Sequence, residues 1–241
     1  THRFLILCLS LVNQIGLSGH SIALVPIHVL RLSNNMSTVF FSCHVEPLKK
    51  SRDISYFDDF ITTVGRLHCD VILLFMVGEE VEDEILSIVK SKINKLPSNC
   101  RIGLHVHGRK TAHAIKIYQK IFRCLPEFIS FGHWVYNEND LEIARKCGVK
   151  TDLSFAAYRH NLKYFFKNPY THNGLEEFPV SCNPIYPINP FYTWYDFFLA
   201  VFLLIMNRFF NKPLHLTFHS YDLYPLVISK RMRLFVIAKL V

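Results

Sequence analysis

The stretch RIGLHVHG, residues 101–108, decides both the fold and the site that the sequence predicts. It reads as a short apolar strand that ends in a glycine-bounded turn. Residues two apart on a strand point to the same face, so His105 and His107 project together from the strand end. Paired imidazoles fill a core poorly, because each ring nitrogen needs a partner when buried, but they bind a borderline metal such as zinc well. The alternative is that they are hydrogen-bonded histidines at a barrel rim.

A second strand-like stretch ends in the same way. Residues 38–47 read TVFFSCHVEP, in which His44 and Glu46 share one face before a proline closes the strand. Two strands that each end in a pair of donor side chains predict a site at the carboxyl ends of a parallel sheet or barrel. Together the two pairs indicate a metal-centred hydrolytic site.

Length and composition indicate one well-packed domain. The chain has 241 residues, of which 50% are hydrophobic, and α/β barrels commonly have this size. The 7 cysteines are scattered and include no Cys-x-x-Cys pair. This pattern argues against a disulfide framework and a thiolate zinc site, and it predicts a cytoplasmic location.

The positive charge restricts the classes of partner. The formal charge is +8, and its clusters lie at residues 49–52 and 230–233. Such clusters suit anionic glycans, nucleotide sugars or a membrane surface, so peripheral membrane association stays open beside an ordinary solvated surface. Basic and aromatic residues do not interleave as they do in single-strand binders, so we expect no nucleic-acid partner.

From Met36 onward, strand-like and helix-like segments alternate along the chain. Residues 159–190 look like a long irregular excursion with one strand near 178–181. Repeated strand–helix units without sequence repeats predict a parallel α/β fold, most simply a barrel. The other predicted strands and helices are, in chain order, 38–45, 55–67, 70–77, 80–94, the His-x-His strand, 111–124, 128–131, a helix capped by Asn137 or Asn139 that ends at Gly148, 149–155, 191–209 and 214–219.

Two apolar segments need separate interpretation. Residues 1–45 contain no Asp or Glu, and we expect the barrel domain to span 36–241, with 1–35 an N-terminal extension or a foreign segment. Residues 4–12 resemble a signal-peptide core, which would make the protein exported instead. The uncharged run 197–206 is too short to span a membrane, and its helical spacing predicts a buried packing helix.

Taken in order, these motifs resemble the polysaccharide deacetylase-like (NodB-homology) family, in particular its divergent branch encoded in O-antigen and surface-polysaccharide clusters. The resemblance spans residues 36–225 and implies a distorted (β/α)7 TIM-like barrel. It also implies metal-dependent hydrolysis of an N-acetyl or related acyl group on a carbohydrate. The stretches that carry it are FSCHVEP (41–47), IGLHVH (102–107), FGHW (131–134), the Asp-containing strand 148–152, EFPVS (177–181) and LTFHSYD (216–222).

The resemblance also implies binding roles. A divalent metal, zinc or alternatively cobalt or nickel, would be held by Glu46, His105 and His107. His133 and Trp134 would wall the pocket for the sugar, since a tryptophan ring stacks well on the apolar face of a sugar.

The catalytic roles it implies are proton transfers. His219 would protonate the departing amine, and His44 or Asp152 would act as base or orienting group. Asp222 and His215 are expected to be structural.

The sequence departs from the family pattern at three places. The first motif usually offers an aspartate where this chain has His44. The second histidine ligand usually lies four residues on, at Arg109 here, so His107 must substitute. The third motif usually contains an arginine, and the nearest position here is Ser130.

These departures leave two alternatives open. One is a catalytically impaired barrel that binds a glycan or a partner in polysaccharide assembly. The other is a two-metal phosphoesterase, which would need more carboxylates than this chain offers.

Overall fold

The structure, a computed structural model, describes most of the chain from residue 39 to its end. The predicted boundary near Met36, the whole of 1–35, most of the predicted helix 80–94, and Arg109 lie outside the described residues. The described ranges are 39–46, 57–77, 90–108, 110–134, 137–156, 169–182, 185–210, 213–223 and 227–241.

The described strands form one sheet. Its order is β6-β7-β5-β4-β3-β2-β1-β8, and all neighbours are parallel except the antiparallel pair β6–β7. The predicted parallel α/β arrangement is therefore confirmed. The strands are β1 (Val39–Val45), β2 (Asp70–Met76), β3 (Cys100–Val106), β4 (Phe128–Phe131), β5 (Thr151–Asp152), β6 (Tyr170–His172), β7 (Leu175–Glu177) and β8 (Leu214–His219).

The chain that follows β7 joins the two sides of the curled sheet. The Phe178 amide donates to the Asp152 carbonyl (3.0 Å), and the Val180 amide donates to the Phe155 carbonyl (2.8 Å), so this stretch continues beside β5. The next amide, that of Ser181, donates to the His215 carbonyl on β8 (2.9 Å). Leaving aside β6, the described strands thus form a distorted barrel of seven parallel strands, as the resemblance implied.

His215 strengthens this closure from inside the barrel. Its ring stacks on Phe40, with centroids 4.5 Å apart, and its Nδ1–H donates to the Phe178 carbonyl (3.1 Å). Nε2 must then accept, and it does so from the Ser42 hydroxyl at 2.7 Å. Gly103 leaves room for the apolar side chains of the same interior layer. A Cβ at this position would lie only 2.8 Å from side-chain carbons of Leu74 and Phe128.

Helices cover the outer face of the barrel. Among the residues described, no helix is long and apolar enough to cross a membrane. Of the two candidate caps, Asn137 caps α3: its side chain accepts from the Asp140 amide at 2.8 Å. The helices are α1 (Phe57–Val64), α2 (Thr111–Phe122), α3 (Glu138–Lys146), α4 (Trp194–Phe210), α5 (Ser220–Leu223) and α6 (Ile228–Leu240).

Two elements differ from the prediction or were missed by it. The hairpin β6–β7 lies in the region predicted to be irregular, and its turn is Asn173-Gly174, both with positive φ (49° and 76°). An Asn-Gly pair is the strongest short hairpin signal, so the sequence did contain the information. The sequence analysis also missed α6, because apolar residues mixed with basic ones lie on both its core-facing and its exposed side.

The prediction that α4 is a buried packing helix is wrong for half of its surface. Ala200 and Leu203 lie in the core, but Phe202 and Phe209 are 54% and 77% exposed. Helical spacing shows that apolar residues line a helix; it does not show which face meets the barrel when both faces are apolar.

We expect His215 to make the fold acid-sensitive. Burial lowers the pKa of His215 to about 3, against the hydrogen bond to Phe178, whereas its ordinary value is 6.5. As the pH falls, His215 is therefore protonated in the unfolded chain before it is protonated in the folded protein. Its contribution to the free energy of unfolding is fully present above pH 6.5 and is lost as the pH falls towards 3. Each pH unit in that window costs about 1.4 kcal/mol of unfolding free energy.

Urea unfolding at several pH values between neutral and mildly acidic checks this. Wild type should lose more stability on acidification than His215→Gln, by about 2 kcal/mol over two pH units. The control His113→Gln, at an exposed position of α2, should follow wild type. Equal acid sensitivity of wild type and His215→Gln would show that His215 is not held neutral by the fold.

Candidate metal and hydrolase site

Side chains from three strands meet at the carboxyl end of the barrel. His44 and Glu46 come from the end of β1, His105 and His107 from the end of β3, and His219 from the end of β8. His44 is directly level with His219 in the β1–β8 register. The structure thus brings together five of the residues that the sequence analysis selected, from positions far apart in the chain.

His105 presents a defined nitrogen to this cluster. Its Nδ1–H donates to the Ser130 carbonyl (3.1 Å), so the lone pair is on Nε2. That Nε2 lies 2.9 Å from Nε2 of His107, a separation at which two imidazoles share one proton or one cation. Burial, and next the proximity of His107, lower the pKa of His105 to about 3.

Glu46 supplies the negative charge of the cluster. Its Oε1 is 4.0 Å from Nε2 of both His105 and His107, and 3.4 Å from Nε2 of His219. The hydrogen bond with His219 is the main cause that holds the pKa of Glu46 below its ordinary value, although burial opposes it. Its carboxylate is therefore ionised at neutral pH.

The donor set fits a divalent metal ion. The ligand atoms of Glu46, His105 and His107 all lie within 4.8 Å of one another. Two imidazole nitrogens and one carboxylate oxygen form a common ligand set of catalytic zinc sites. The hydrogen bond from His105 to a backbone carbonyl is the second contact that metal-binding histidines usually make.

His219 is oriented from behind by the start of α5. Its Nδ1–H donates to Oδ2 of Asp222 (3.3 Å), which also accepts from the His219 amide (2.6 Å) and from Nδ2 of Asn189 (2.6 Å). Burial lowers the pKa of His219, but the hydrogen bonds with Asp222 and Glu46 outweigh it and raise the pKa to about 9. Asp222, which we expected to be structural, thus directs Nε2 of His219 towards the cluster.

His44 lies beneath the other histidines. Its ring stacks on His105 (centroids 4.2 Å apart) and meets the edge of His219 (5.1 Å). Nε2 is 3.4 Å from the hydroxyl of Ser130. Burial, followed by the neighbouring histidines, holds the pKa of His44 well below its ordinary value, so the ring is neutral.

The turn after β4 carries the two residues predicted to contact the substrate. His133 meets the edge of His107 at 5.4 Å, and Trp134 lies 5.0 Å from His44. Both have left-handed backbone (φ 56° and 57°), a conformation that costs about 1 kcal/mol or more per residue. A Cβ on Gly132 would lie 2.9 Å from ring carbons of His107, so glycine is needed for the ring to rest there.

The structure does not bring Asp152 to the cluster. Asp152 is level with Ile129, whose side chain packs between the sheet and the helices, whereas the next residue, Leu153, packs inside the barrel. The carboxyl group accepts from the Ser154 amide (3.0 Å) and hydroxyl (2.5 Å), and the Ser154 oxygen accepts from the Phe131 amide (2.6 Å). Asp152 is thus connected to the end of β4 through Ser154.

Glu177 is a buried carboxyl group that the sequence analysis missed. It is level with Asp152 on the neighbouring strand, and both side chains are fully buried. Burial is the main cause that raises the pKa of Asp152 to about 6. No sequence signal pairs the two residues, because their pairing depends on the β5–β7 register.

Comparison with known proteins identifies the fold. No family model and no curated protein matches the chain. A solved structure from Mycobacterium smegmatis, described as a polysaccharide deacetylase, is similar with a TM-score of 0.54 at 12% identity, over 87% of this chain and 84% of that one. A protein from Bordetella bronchiseptica, described as a polysaccharide deacetylase involved in O-antigen biosynthesis, has a TM-score of 0.49 at 10% identity, over 80% and 75% of the two chains.

The first of these similarities confirms the fold that the motifs implied. At such low identity, structural similarity shows only the fold. The chemistry of the site has to be argued from the residues of this chain. The protein has the polysaccharide deacetylase fold in a divergent form.

Proposed function

We propose that the protein is a metal-dependent hydrolase that removes an N-acetyl or related acyl group from a surface-polysaccharide sugar or its precursor. One observation carries the proposal: Glu46, His105 and His107 place three ligand atoms together at the mouth of a barrel with the deacetylase fold. His219 lies 3.4 Å from the same carboxylate, within reach of any group held there.

The metal is proposed to be zinc, with cobalt or nickel as alternatives, bound by Glu46, His105 and His107. When bound, such an ion supplies Lewis acidity towards the acyl carbonyl and towards water. Ser130 holds His105 in the tautomer that leaves Nε2 for the ligand role. Gly132 leaves room for the ring of His107 beside it.

The chain's own groups move the protons. Hydrolysis of an amide adds a water oxygen to the acyl carbon and breaks the C–N bond, and the departing nitrogen needs a proton. Asp222 engages Nδ1 of His219, so Nε2 is the atom that can deliver this proton. His44, a neutral imidazole at the place of the family's aspartate, is proposed to receive the proton that water loses.

Asp152 is proposed to act indirectly rather than as the base. Through the Ser154 hydroxyl it holds the Phe131 amide, and the neighbouring residue Ser130 contacts both His44 and His105. The carboxyl group therefore positions the end of β4 without touching the reacting atoms.

The substrate is proposed to be a carbohydrate that rests on the turn after β4. His133 is exposed, and Trp134 is partly exposed while its other side packs on a small apolar cluster near Val180. A ring held in this way offers a rigid face to a sugar. We place the activity in the cytoplasm, as the cysteine pattern predicts.

One observation favours the alternative of a glycan-binding barrel without catalysis. His44 replaces the usual carboxylate base, and it is buried beneath the other rings of the cluster with a depressed pKa. In that case the protein would bind metal and sugar but release no acyl group.

Metal binding gives the first prediction of the proposed function. Wild type should hold one zinc ion per chain after dialysis, and His105→Ala/His107→Ala should bind zinc at least 100-fold more weakly, because two of three protein ligands are gone. Plasma mass spectrometry and calorimetric titration measure both. The matched double variant His113→Ala/His172→Ala, at histidines outside the cluster, should behave as wild type. No bound metal in wild type after incubation with zinc, cobalt or nickel would contradict the proposal.

The second prediction concerns the acid. His219→Gln should keep its zinc but lower kcat for acetate release about 100- to 10,000-fold, the usual contribution of a general acid. A panel of N-acetylated sugars and nucleotide sugars, assayed for free acetate, checks this, with His113→Gln as control. Unchanged kcat in His219→Gln would remove His219 from the mechanism, and no acetate from any zinc-loaded sample would favour the glycan-binding alternative.

The third prediction separates positioning from base catalysis at Asp152. Asp152→Asn keeps an oxygen that can accept from Ser154, so kcat should stay within about threefold of wild type. Asp152→Ala removes the acceptor and should lower kcat about tenfold or more without changing the zinc stoichiometry. If both variants lose activity as strongly as His219→Gln, Asp152 is the base after all.

A further inference from the structure

The outer surface of the two C-terminal long helices is unusually apolar. On α4 the exposed residues recur every three or four positions, so they form one continuous stripe, and a second stripe follows the exposed side of α6. We name this surface the aromatic face. It consists of Tyr195, Phe198, Phe202, Ile205 and Phe209 on α4, and Ile228, Met232 and Phe235 on α6.

The exposure is substantial for these residue types. Phe202 is 54% exposed, Phe209 77%, Phe235 64% and Ile228 86%. Soluble monomers rarely expose contiguous apolar patches larger than a few hundred Å², and such patches usually mark a binding surface. We therefore expect the aromatic face to bind a partner.

The opposite sides of both helices are already engaged in the core. Leu203 and Leu204 of α4 and Ile237 of α6 are buried. The guanidinium of Arg233 lies 4.2 Å from the ring of Trp194, and that of Arg208 donates to the Lys239 carbonyl (3.3 Å) at the other end of the pair. Because these contacts hold α6 near both ends of α4, the aromatic face is a preformed surface.

Its charge is of one sign. The sequence of α6 has four basic residues and no carboxylate; Arg231 and Lys239 are exposed, whereas Arg233 is buried. The sequence of α4 has Arg208 and a single carboxylate. That carboxylate, Asp196, is buried and accepts from the Thr193 hydroxyl at 2.6 Å. The aromatic face thus combines exposed aromatic rings with positive charge, and neither helix adds an exposed negative charge.

This combination is complementary to an anionic lipid surface. Aromatic and aliphatic side chains enter the boundary between headgroups and acyl chains, while lysine and arginine pair with anionic headgroups. A second copy of the chain would instead bring positive charge against positive charge. No described helix can cross a membrane, so such a contact would lie on the bilayer.

We propose that the aromatic face docks the protein on an anionic bilayer as a peripheral membrane protein. The proposal stands apart from the proposed hydrolysis: it involves neither the histidine cluster nor the barrel mouth. Its failure and the failure of the enzymatic proposal are therefore distinguishable in separate assays.

Co-sedimentation of the full chain with vesicles tests it. Vesicles of phosphatidylcholine and phosphatidylserine (about 7:3) should bind wild type about tenfold more tightly than phosphatidylcholine alone, and 0.5 M NaCl should weaken that preference. Phe202→Glu/Phe235→Glu should bind the anionic vesicles at least tenfold more weakly. The matched control Leu125→Glu/Ile185→Glu, at exposed apolar positions outside the aromatic face, should bind as wild type.

A charge variant separates the two contributions. Arg231→Gln/Lys239→Gln, at exposed positions of α6, should lose most of the preference for phosphatidylserine, since each basic residue near the surface contributes severalfold to binding. Circular dichroism verifies that all variants are folded, which their surface positions lead us to expect.

Three results would overturn the proposal. The first is no binding of wild type to anionic vesicles. The second is equal binding by wild type and Phe202→Glu/Phe235→Glu. The third is a wild-type dimer, seen by light scattering, that dissociates in Phe202→Glu/Phe235→Glu while vesicles bind neither protein; that result would assign the aromatic face to a second copy of the chain.

Discussion

The parallel pairing of β8, β1, β2 and β3 is the constraint on which the rest of the molecule depends. Parallel strands end at the same edge of a sheet, so residues distant in the chain are brought to one mouth. His44 is level with His219, and Met76 is level with His105. A shift of one residue in either register would turn the donor side chains of the shifted strand to the helix-facing side, and the cluster would not form.

The interior of the barrel changes from apolar to polar along its axis, towards this mouth. Further from the mouth, Phe40, Phe128 and Phe178 fill the interior. Among them, His215 and Ser42 are hydrogen-bonded to each other. Higher up, the interior residues become polar and titratable. Burial keeps His44 and His105 neutral, while Glu46 stays ionised beside His219. The same packing that stabilises the fold thus sets the protonation states on which the proposed metal binding and proton transfer depend.

The two faces of the sheet carry separate groups of polar side chains. The inner face holds the histidine cluster, and the outer face holds Asp152 with Glu177, fully buried below the helices. They are connected through the backbone at the end of β4, where the Ser154 hydroxyl accepts from the Phe131 amide. Further out, α4 has a core-facing side and an exposed apolar side, so its sequence is apolar nearly all round.

Local patterns in the sequence determined much of this protein. Period-two alternation set which residues of β1 and β3 share a face, and an asparagine at the right position began α3, because both effects act within a few residues. Tertiary structure decided the rest: that three strand ends meet, that Asp152 faces the helices beside Glu177, and that half of α4 is exposed. These facts depend on strand register and on which surface is covered, and contacts between distant residues decide both.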